Sequence, residues 1–480
     1  MIDTARLTAR SSALCLALCL SACASLAPEV PKAEAGVPAA WPLPATTIEA
    51  ATAPPVRDAA TPDVVAEIGW RDFFADPELQ SLIARALEAN RDLRVAVLNV
   101  ERARAQYRVQ RADQFPTLGV SGLASRGGGP GNLAPDAYSI RLGITDFELD
   151  FFGRVRDLSR AALQQYLAQT ETRQTAQLVL IAEVASAYLQ LAGDRALLAV
   201  AEATLANQEE EFRLTEQRHA LGAVSGLDLE QARTTVETAR ADAARFAGDV
   251  ARDVNALNLL TATPGALPPS PDAFDLDRTF GIPALPAGLP SEVLLRRPDV
   301  IAAEHRLRAA NADIGAARAA FFPSIRLTAS VGSASDALTR LASGGTGFWS
   351  LQPSINLPIF DHGRLQGNLD VALADQDIAL AEYEQAIQTG FREVADALAL
   401  SRTLVQQRKA QQALVDAATK ANQLSLARFK AGRDNYQVQL DTQRTLFAAR
   451  QALVSTVLAE QINRVTLYKV LGGGWLERSQ

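Results

Sequence analysis

Residues 380–400, LAEYEQAIQTGFREVADALAL, place an apolar side chain at every third or fourth position, which is the period of one face of an α-helix. The positions are Leu380, Tyr383, Ile387, Phe391, Val394 and Leu398. Alanines fill much of the remaining surface, so such a helix can approach neighbours on both sides. This pattern favours a closed cylinder of helices over a two-stranded coil.

The helix around this stretch is predicted to be long because proline, the strongest helix breaker, is missing from Ile359 to Gln480. A helix from Leu365 to Lys430 would contain 66 residues. It would extend about 100 Å at 1.5 Å rise per residue. A second proline-free block lies between Ala137 and Thr263. Compact domains rarely contain such helices, and the alternative to a cylinder is a filamentous coiled coil.

Short motifs recur at an almost constant offset, which predicts an internal duplication. Phe115-Pro116 recurs as Phe322-Pro323 (322 minus 115 is 207), and Gly153-Arg154 recurs as Gly363-Arg364 (363 minus 153 is 210). Each half reads helix, strand, Gly-rich loop, strand, long helix, glycine break, helix. The predicted boundaries are 70–262 for the first repeat, 263–290 for the connection, 291–471 for the second repeat and 472–480 for a C-terminal tail.

Two glycines at equivalent places, Gly222 and Gly432, are predicted to end the long helices. Glycine accepts the left-handed conformation of a helix C-terminus. After the first, Ser225 and Asp228 have the spacing of a capping box. After the second, Asn435 is a candidate N-cap. We therefore expect two structural turns at the same end of the molecule.

Strands are predicted between the helices from a period of two. In Ser324–Val331, apolar residues alternate with Ser, Arg and Thr, which gives one apolar and one wet face. Similar alternation covers 139–144, with a register shift before Phe147, and also 354–359, whereas 117–125 is the weakest case. Strands of about ten residues can cross a bilayer when they are tilted.

Four such strands cannot close a membrane barrel, because the smallest membrane barrels have eight. A dimer would supply eight strands around an interior filled by side chains, and a trimer would supply twelve with room for a lumen. The soluble alternative is a helical protein with two surface hairpins. The predicted fold class is mostly α with a membrane β-barrel, in which four strands per protomer complete a twelve-stranded barrel as a trimer beside a long α-helical barrel.

The amino terminus, residues 1–22, is predicted to be a secretory signal, because a basic start precedes an apolar run too short to span a bilayer. Leu20-Ser21-Ala22-Cys23 resembles a bacterial lipobox, which implies that Cys23 becomes the acylated first residue. By the same resemblance, Ala24 favours the outer membrane. The alternative is an ordinary signal peptide with an incidental cysteine. Residues 23–69, rich in Ala and Pro, are predicted to form a tether.

Composition excludes several classes of function. The net charge of -7 argues against nucleic-acid binding, which needs a basic surface. The three cysteines lie at positions 15, 19 and 23, so a mature chain holds one and forms no internal disulfide. Three histidines leave little for a metal site. We expect no enzyme and no cofactor, because the sequence has no nucleophile elbow, phosphate loop or metal-spaced His/Cys set.

Residues 288–300, GLPSEVLLRRPDV, strongly resemble the signature of TolC-like outer-membrane factors, in the lipoprotein branch called NodT or OprM type. The similarity extends to the Phe-Pro strand entries, to residues 360–364 before the long helix and to the 471–475 terminus. It implies a homotrimeric channel whose β-barrel lies among outer-membrane lipids and whose α-barrel crosses the periplasm. The implied role is the exit duct of a tripartite efflux pump, with a periplasmic adaptor protein and an inner-membrane transporter, usually of the RND class.

The resemblance also implies acidic residues at a pore constriction near the helix ends. Asp441 lies nine residues after Gly432 and matches such a position; Asp228 lies six after Gly222, where the second repeat has Val438. As a ring of three in a trimer, each aspartate would favour cations. The alternative is that both are ordinary capping or polar-face residues.

The sites named from sequence are lipid attachment at Cys23, a periplasmic gate at Asp441 and Asp228, adaptor or gate-latch contacts at Arg433, Asp434 and Tyr436, and structural turns at Gly222 and Gly432.

Two other functions remain open at this point. One is a TolC-like duct for type I protein secretion, and the other is a helical surface lipoprotein that forms no channel. The transported substrate cannot be read from the sequence, although the near absence of Met and His disfavours a dedicated soft-metal site in the duct.

Overall fold

The structure is a computed structural model, and it describes residues 25–39, 41, 68–127, 136–265, 291–343 and 345–479. The predicted signal 1–22, the predicted lipid site Cys23 and most of the predicted connection 263–290 lie outside the described residues. Within them, the chain is mostly helical with four strands.

Six of the eight α-helices in the described ranges form three pairs of equal length, as expected for a duplication. The eight helices are α1 Trp70–Phe73, α2 Pro77–Ala89, α3 Arg91–Ala112, α4 Arg154–Ala220, α5 Gly226–Leu260, α6 Pro298–Ala319, α7 Arg364–Lys430 and α8 Tyr436–Val470. Helices α3 and α6 both have 22 residues, α4 and α7 both have 67, and α5 and α8 both have 35. The prediction of two long helices is therefore confirmed.

The four strands form one antiparallel sheet in the order β1 (Leu118–Ser125), β2 (Ala137–Leu149), β3 (Ser324–Ser335) and β4 (Gly347–Asn356). The β2–β3 pairing joins the two repeats. The predicted bounds of the last strand, 354–359, were wrong. It ends at Asn356, which pairs with Ser324, the first residue of β3, and its apolar alternation continues past the pairing.

A β-bulge keeps the apolar face of this sheet continuous. Leu142 lies opposite Val331, whereas beyond the bulge Phe147 lies opposite Leu327, so β2 carries one extra residue. The bulge includes Asp146, whose φ of 55° lies in the left-handed region. Without it, every later side chain of β2 would change face. The register shift predicted before Phe147 is confirmed.

The apolar face of the sheet is exposed to solvent in a single chain. Trp349 of β4, which is 79% exposed, and Val120 of β1 both belong to this face. In the part of the chain that the structure describes, β1 and β4 each pair on one side only. The sheet therefore has an uncovered apolar face and two open edges, which a protein stable in water normally covers.

The described residues form two compact units, and each unit takes segments from both repeats. One contains 98–171 and 301–385 with the sheet, and the other contains 172–300 and 386–480. Helices α4 and α7 contribute to both. The most apolar 18-residue window of α4 has the length and composition of a membrane span, but 61% of it is buried in the protein, as in a core helix.

The described part of the predicted tether lies against helices. In the first unit, the Ser25 hydroxyl lies 2.8 Å from both carboxylate oxygens of Asp157, a fully buried residue that also accepts from Arg160 at 2.9 Å. In the second unit, the Trp41 ring stacks on Phe391 at 5.4 Å, and its indole N–H donates to the Phe391 carbonyl at 2.9 Å. These contacts fix the segment in each unit.

Arg297 connects its own signature stretch, 288–300, with helices α7 and α8 in the second unit. Its guanidinium donates to Asp299 at 2.8 and 3.0 Å, to Glu393 of α7 at 2.8 Å and to the Val470 carbonyl at the end of α8 at 2.8 Å. Burial alone would lower the pKa of Arg297, but the hydrogen bonds and charges of the two carboxylates raise it. The signature arginine therefore has a structural role.

We expect Arg297→Met to lower the free energy of unfolding by about 2–3 kcal/mol, because it leaves a carbonyl and two carboxylates without their donor. The thermal unfolding midpoint in detergent measures the change. Arg94→Met, at an exposed position of α3 in the same unit, is the control and should change stability by less than about 0.5 kcal/mol. Equal effects of the two variants would contradict the structural role of Arg297.

Candidate functional site

The two long helices end in turns of the same geometry, both within the second unit. Gly222 has φ 70° and Gly432 has φ 68°. The amide of Ala223 donates to the Arg218 carbonyl at 2.8 Å, and the amide of Arg433 donates to the Arg428 carbonyl at 2.9 Å, which is a Schellman arrangement in each case. A Cβ at either glycine would meet nothing within 4 Å, so the backbone conformation is what requires glycine here.

Asp228 is part of the cap of α5. Its carboxylate accepts from the Ser225 amide at 3.1 Å and from the Ser225 hydroxyl at 2.7 Å, while the Ser225 hydroxyl accepts from the Asp228 amide at 3.1 Å. The predicted capping box is confirmed. The partly exposed side chain of Asp228 therefore helps to cap the N-terminus of α5.

The second repeat caps its helix differently. Asn435 accepts from the Val438 amide at 3.2 Å, so the predicted N-cap is confirmed. Asp441 lies on the exposed surface of α8, and Gln437 donates to it at 3.1 Å. Within the described ranges no Lys or Arg pairs with Asp441. Its negative charge is therefore available to the solvent beside the turn.

The three residues named as adaptor or latch contacts occupy different environments. Asp434 accepts two hydrogen bonds from Arg428 of α7, at 2.7 and 2.8 Å, and these lower the pKa of Asp434. Arg433 is exposed on the turn. Tyr436 is buried, with Phe429 at 5.7 Å between ring centroids and with Ala232 of α5 in the same cluster. Burial raises the pKa of Tyr436. Of the three residues, Arg433 is exposed, Asp434 is half-buried and Tyr436 is buried.

A partly buried polar network beside these turns was not predicted from sequence. Gln443 of α8 donates to both carboxylate oxygens of Glu211 of α4 at 2.7 Å, and Gln208 donates to Gln443 at 3.0 Å. Thr235 of α5 donates to Gln208 at 3.2 Å. Burial raises the pKa of Glu211, although the bond from Gln443 opposes this.

We call α4 with α5 the first helical hairpin and α7 with α8 the second. The network borders a cavity of about 350 Å³ between these two hairpins, which Phe429 and Tyr436 also line. The polar network has a signal in the sequence. It is a polar stripe on α4, formed by Gln208, Glu211 and Thr215 at spacings of three and four. Polar residues on a packed helix face indicate an interface that specifies register rather than one that maximises apolar burial.

Comparisons with known proteins match this architecture over nearly the whole chain. The family model described as outer membrane efflux protein matches residues 82–263 and again residues 289–473. The chain belongs to the outer membrane efflux protein family. The two matched segments follow the internal repeat, and the TolC-like resemblance seen in the sequence is confirmed.

Individual relatives agree with the family. The probable efflux pump outer membrane protein TtgC of Pseudomonas putida is 46% identical over 465 residues, 95% of this chain and 93% of that protein. The outer membrane protein OprJ of Pseudomonas aeruginosa is 44% identical over 420 residues, 85% of this chain and 87% of that protein.

Solved structures are similar in fold. The open state of the MtrE outer membrane channel of Neisseria gonorrhoeae matches with a TM-score of 0.85 at 38% identity, over 95% of this chain and 100% of that one. CusC matches with a TM-score of 0.83 at 40% identity, over 94% of this chain and 100% of that one.

The protein is accordingly the outer-membrane exit component of an efflux pump, located in the outer membrane and extending into the periplasm. The family is one of transport proteins rather than enzymes. The sequence-based prediction of the fold, mostly helical with four strands per chain, is confirmed.

Neutralising Asp441 should change both single-channel conductance and cation preference in planar bilayers, if three copies of this carboxylate face a narrow lumen. The variant is Asp441→Asn. Asp416→Asn is the matched control, because Asp416 is also exposed and accepts from a glutamine four residues before it, at 3.0 Å, yet lies away from the helix end. Unchanged conductance and selectivity in Asp441→Asn would remove the gate assignment.

The capping role of Asp228 can be separated from a gate role with two variants. Ser225→Ala and Asp228→Ala should both lower stability by about 1 kcal/mol, because each breaks the capping box. If Asp228 also acts at the pore, only Asp228→Ala alters conductance. Thermal unfolding and bilayer recordings on the same preparations distinguish the two roles, and equal conductance of the two variants assigns Asp228 to capping alone.

Proposed function

We propose that this chain forms, as a homotrimer, the exit duct through which a tripartite pump releases small toxic compounds across the outer membrane. The observation that carries the proposal is the sheet with an exposed apolar face and two open edges, β1 and β4. In hydrocarbon, every backbone polar group needs a partner. Pairing β4 of one copy with β1 of the next satisfies both edges, and three copies of four strands give a twelve-stranded barrel with a lumen.

The opposite face of the sheet suits a water-filled interior. It presents Ser350, Gln352 and Ser354 of β4, and Ser350 shares a hydrogen bond of 2.8 Å with Ser330 of β3. Near the helix end of the sheet, Arg326 pairs with Asp146 at 2.6 Å. Charged and hydroxyl side chains on one face, with aliphatic and aromatic ones on the other, are the pattern of a membrane barrel strand.

The proposed anchor is an acylated Cys23. Ser25, two residues later, is held by Asp157 in the first turn of α4, shortly after β2 ends at Leu149. That contact supports placement of the amino terminus beside the helix end of the sheet, where the inner surface of the outer membrane would lie. A covalent lipid there adds hydrophobic attachment without another spanning segment.

The proposed partners are a periplasmic adaptor protein and an inner-membrane transporter, of the RND class by resemblance. We place adaptor contact at the helix turns, where Arg433 is exposed and where Leu221 and Leu227 of the first turn expose apolar side chains. Asp441 and Asp228 remain the proposed gate residues, Asp434 remains a proposed contact, and Tyr436 fits the latch role because it packs between hairpins.

The proposed cargo is apolar or amphipathic and of low molecular weight. Relatives that support this class include a toluene efflux pump outer membrane protein and an antibiotic efflux pump outer membrane protein of Pseudomonas putida, 45% and 46% identical to this chain. Protein secretion and a non-channel lipoprotein are the competing functions.

Deleting the gene should raise the accumulation of a hydrophobic dye and the sensitivity to toluene, while the amount of secreted protein stays unchanged. Complementation with the natural chain should restore efflux. A fall in secreted protein without a change in dye accumulation would favour the secretion duct. Normal values of both would favour the non-channel lipoprotein.

A pair of neighbouring substitutions tests the membrane face during complementation. Leu351→Arg puts a charge on the apolar face of β4 and should cost about 2–4 kcal/mol near the bilayer centre, so the trimer and efflux should be lost. Gln352→Arg, one residue on and on the polar face, is the matched control and should assemble. Assembly of both, measured by native mass spectrometry of the detergent-extracted protein, would contradict the barrel assignment.

A further inference from the structure

The cavity between the two helical hairpins has the size of a small-molecule site. Its volume of about 350 Å³ falls in the range of ligand pockets. Helix α4 forms one wall, and the parts of α7 and α8 nearest to their turn form the other. All of the lining residues belong to the second unit. A molecule held in this cavity would therefore touch both hairpins at once.

One buried side chain in the cavity wall has an unused hydrogen-bond acceptor. Gln439 of α8 is 1% exposed and lines the cavity. Its amide nitrogen donates to the side-chain oxygen of Asn422 of α7 at 3.2 Å, and this bond orients the amide. The other end of the amide, Oε1, accepts no hydrogen bond from the described residues. A buried acceptor without a donor is costly, so a ligand that brings a hydroxyl or N–H group would remove that cost.

The lining also contains an apolar and aromatic group of side chains. It consists of Leu214 of α4, Leu426 and Phe429 of α7, and Tyr436 and Leu446 of α8. The Phe429 and Tyr436 rings are tilted against each other with centroids 5.7 Å apart. An aromatic ring would gain both apolar burial and ring–ring contact against these side chains. The body of the ligand is therefore expected to be a ring.

Three cations border the cavity. Arg218 and Lys430 lie in the last turns of α4 and α7 and are exposed, whereas Arg450 lies further along α8. In the part of the chain that the structure describes, none of the three forms an ion pair within 4 Å. The Arg218 guanidinium lies over the Phe429 ring, 5.6 Å from its centroid. This side of the cavity is positive and open to solvent, which suits the acidic group of a ligand.

The two acidic residues of the lining already have partners. Glu210 pairs with Arg213, which lies one turn further along α4. Glu211 accepts from Gln443 at 2.7 Å through both carboxylate oxygens. Burial raises the pKa of Glu211, which lessens its repulsion of a second carboxylate. A ligand amine would therefore meet carboxylates that are already bonded, whereas a ligand carboxylate would meet unpaired cations.

We propose that this cavity binds a phenolic carboxylate, which is a ring with a hydroxyl group at one end and a carboxylate at the other. The hydroxyl donates to Gln439 Oε1, the ring packs against Leu426 and Phe429, and the carboxylate lies near Lys430 and Arg218. The site goes beyond the proposed duct, because the acid is held inside the protein wall and is not cargo in the lumen. Since it touches both hairpins, the bound acid should stabilise them at their present separation.

The test is equilibrium dialysis of radiolabelled 4-hydroxybenzoate against the full chain in detergent, with empty micelles as the blank. We expect saturable binding of one molecule per chain with a Kd no weaker than about 1 mM. Benzoate lacks the hydroxyl and 4-hydroxybenzyl alcohol lacks the charge, so each should compete at least about fivefold less well. Absence of saturable binding would overturn the site.

A pair of substitutions in α8 locates the site. Gln439→Met keeps the length of the side chain and removes the acceptor, so the affinity for 4-hydroxybenzoate should fall at least about fivefold, to that of benzoate. Gln461→Met is the matched control, because Gln461 is also a buried glutamine of α8, at 2% exposure, and does not line the cavity. Equal affinities of the two variants would contradict the role of Gln439.

A surface substitution gives an independent readout if the buried variants fold poorly. Lys430→Met should weaken binding of 4-hydroxybenzoate about fivefold and leave binding of 4-hydroxybenzyl alcohol unchanged, because only the acid interacts with the charge. Lys420→Met, at an exposed position of α7 outside the cavity, is the control. If Lys430→Met weakens both ligands equally, or neither, the placement of the carboxylate is wrong.

The ligand site and the duct can fail separately. Trimers that conduct in planar bilayers but bind no 4-hydroxybenzoate would overturn the site and leave the duct intact. A ligand of the folded state stabilises it by mass action, so 4-hydroxybenzoate should raise the thermal unfolding midpoint of the natural chain more than that of Gln439→Met. An equal rise in both proteins would contradict the site, whatever the outcome of the conductance measurement.

Discussion

The hydrogen-bonding groups at the two edges of the sheet constrain the rest of the molecule. In water, an open edge next to an exposed apolar face is a site of aggregation, and in hydrocarbon each unpaired amide costs several kcal/mol. The four strands of the described residues cannot satisfy the outer edges of β1 and β4 by themselves. Each protomer must therefore present two different edges to two different neighbours, and the helices attached to those edges must be compatible with the same contact.

The sheet is also where the two repeats are joined. Strands β2 and β3 come from different repeats and pair in register, with the bulge at Asp146 holding the apolar residues of β2 on the side of Leu327 and Val331. Gly143 and Gly332 allow the two strands to approach closely. A Cβ at either position would lie 2.2 Å from a carbonyl oxygen of the adjacent strand. The duplication therefore does not produce two separate hairpins, because the central pairing requires both halves.

Elements with a local signal could be predicted from the sequence. The helix ends at Gly222 and Gly432, the capping box at Ser225 and the bulge before Phe147 all depend on residues close in the chain. The end of β4 was misplaced because apolar alternation continues to Ile359 while pairing stops at Asn356. The network between Glu211 and Gln443 was missed because its partners are 232 residues apart, and the burial of Tyr436 depends on packing between hairpins.

The two turns show how a duplicated site can divide its tasks. In the first repeat, the position six residues after the glycine is Asp228, and its carboxylate is used in capping Ser225. In the second repeat, Asn435 caps α8 by accepting from the Val438 amide, and Val438, at the equivalent position, has no side-chain carboxylate to return a bond. The cap of α8 therefore places no demand on Asp441, three residues further along. The carboxylate of Asp441, which the cap does not use and which has no cation beside it in the described ranges, is available for an electrostatic role. If the turns form the constriction, the second repeat is the half of the chain that sets its charge.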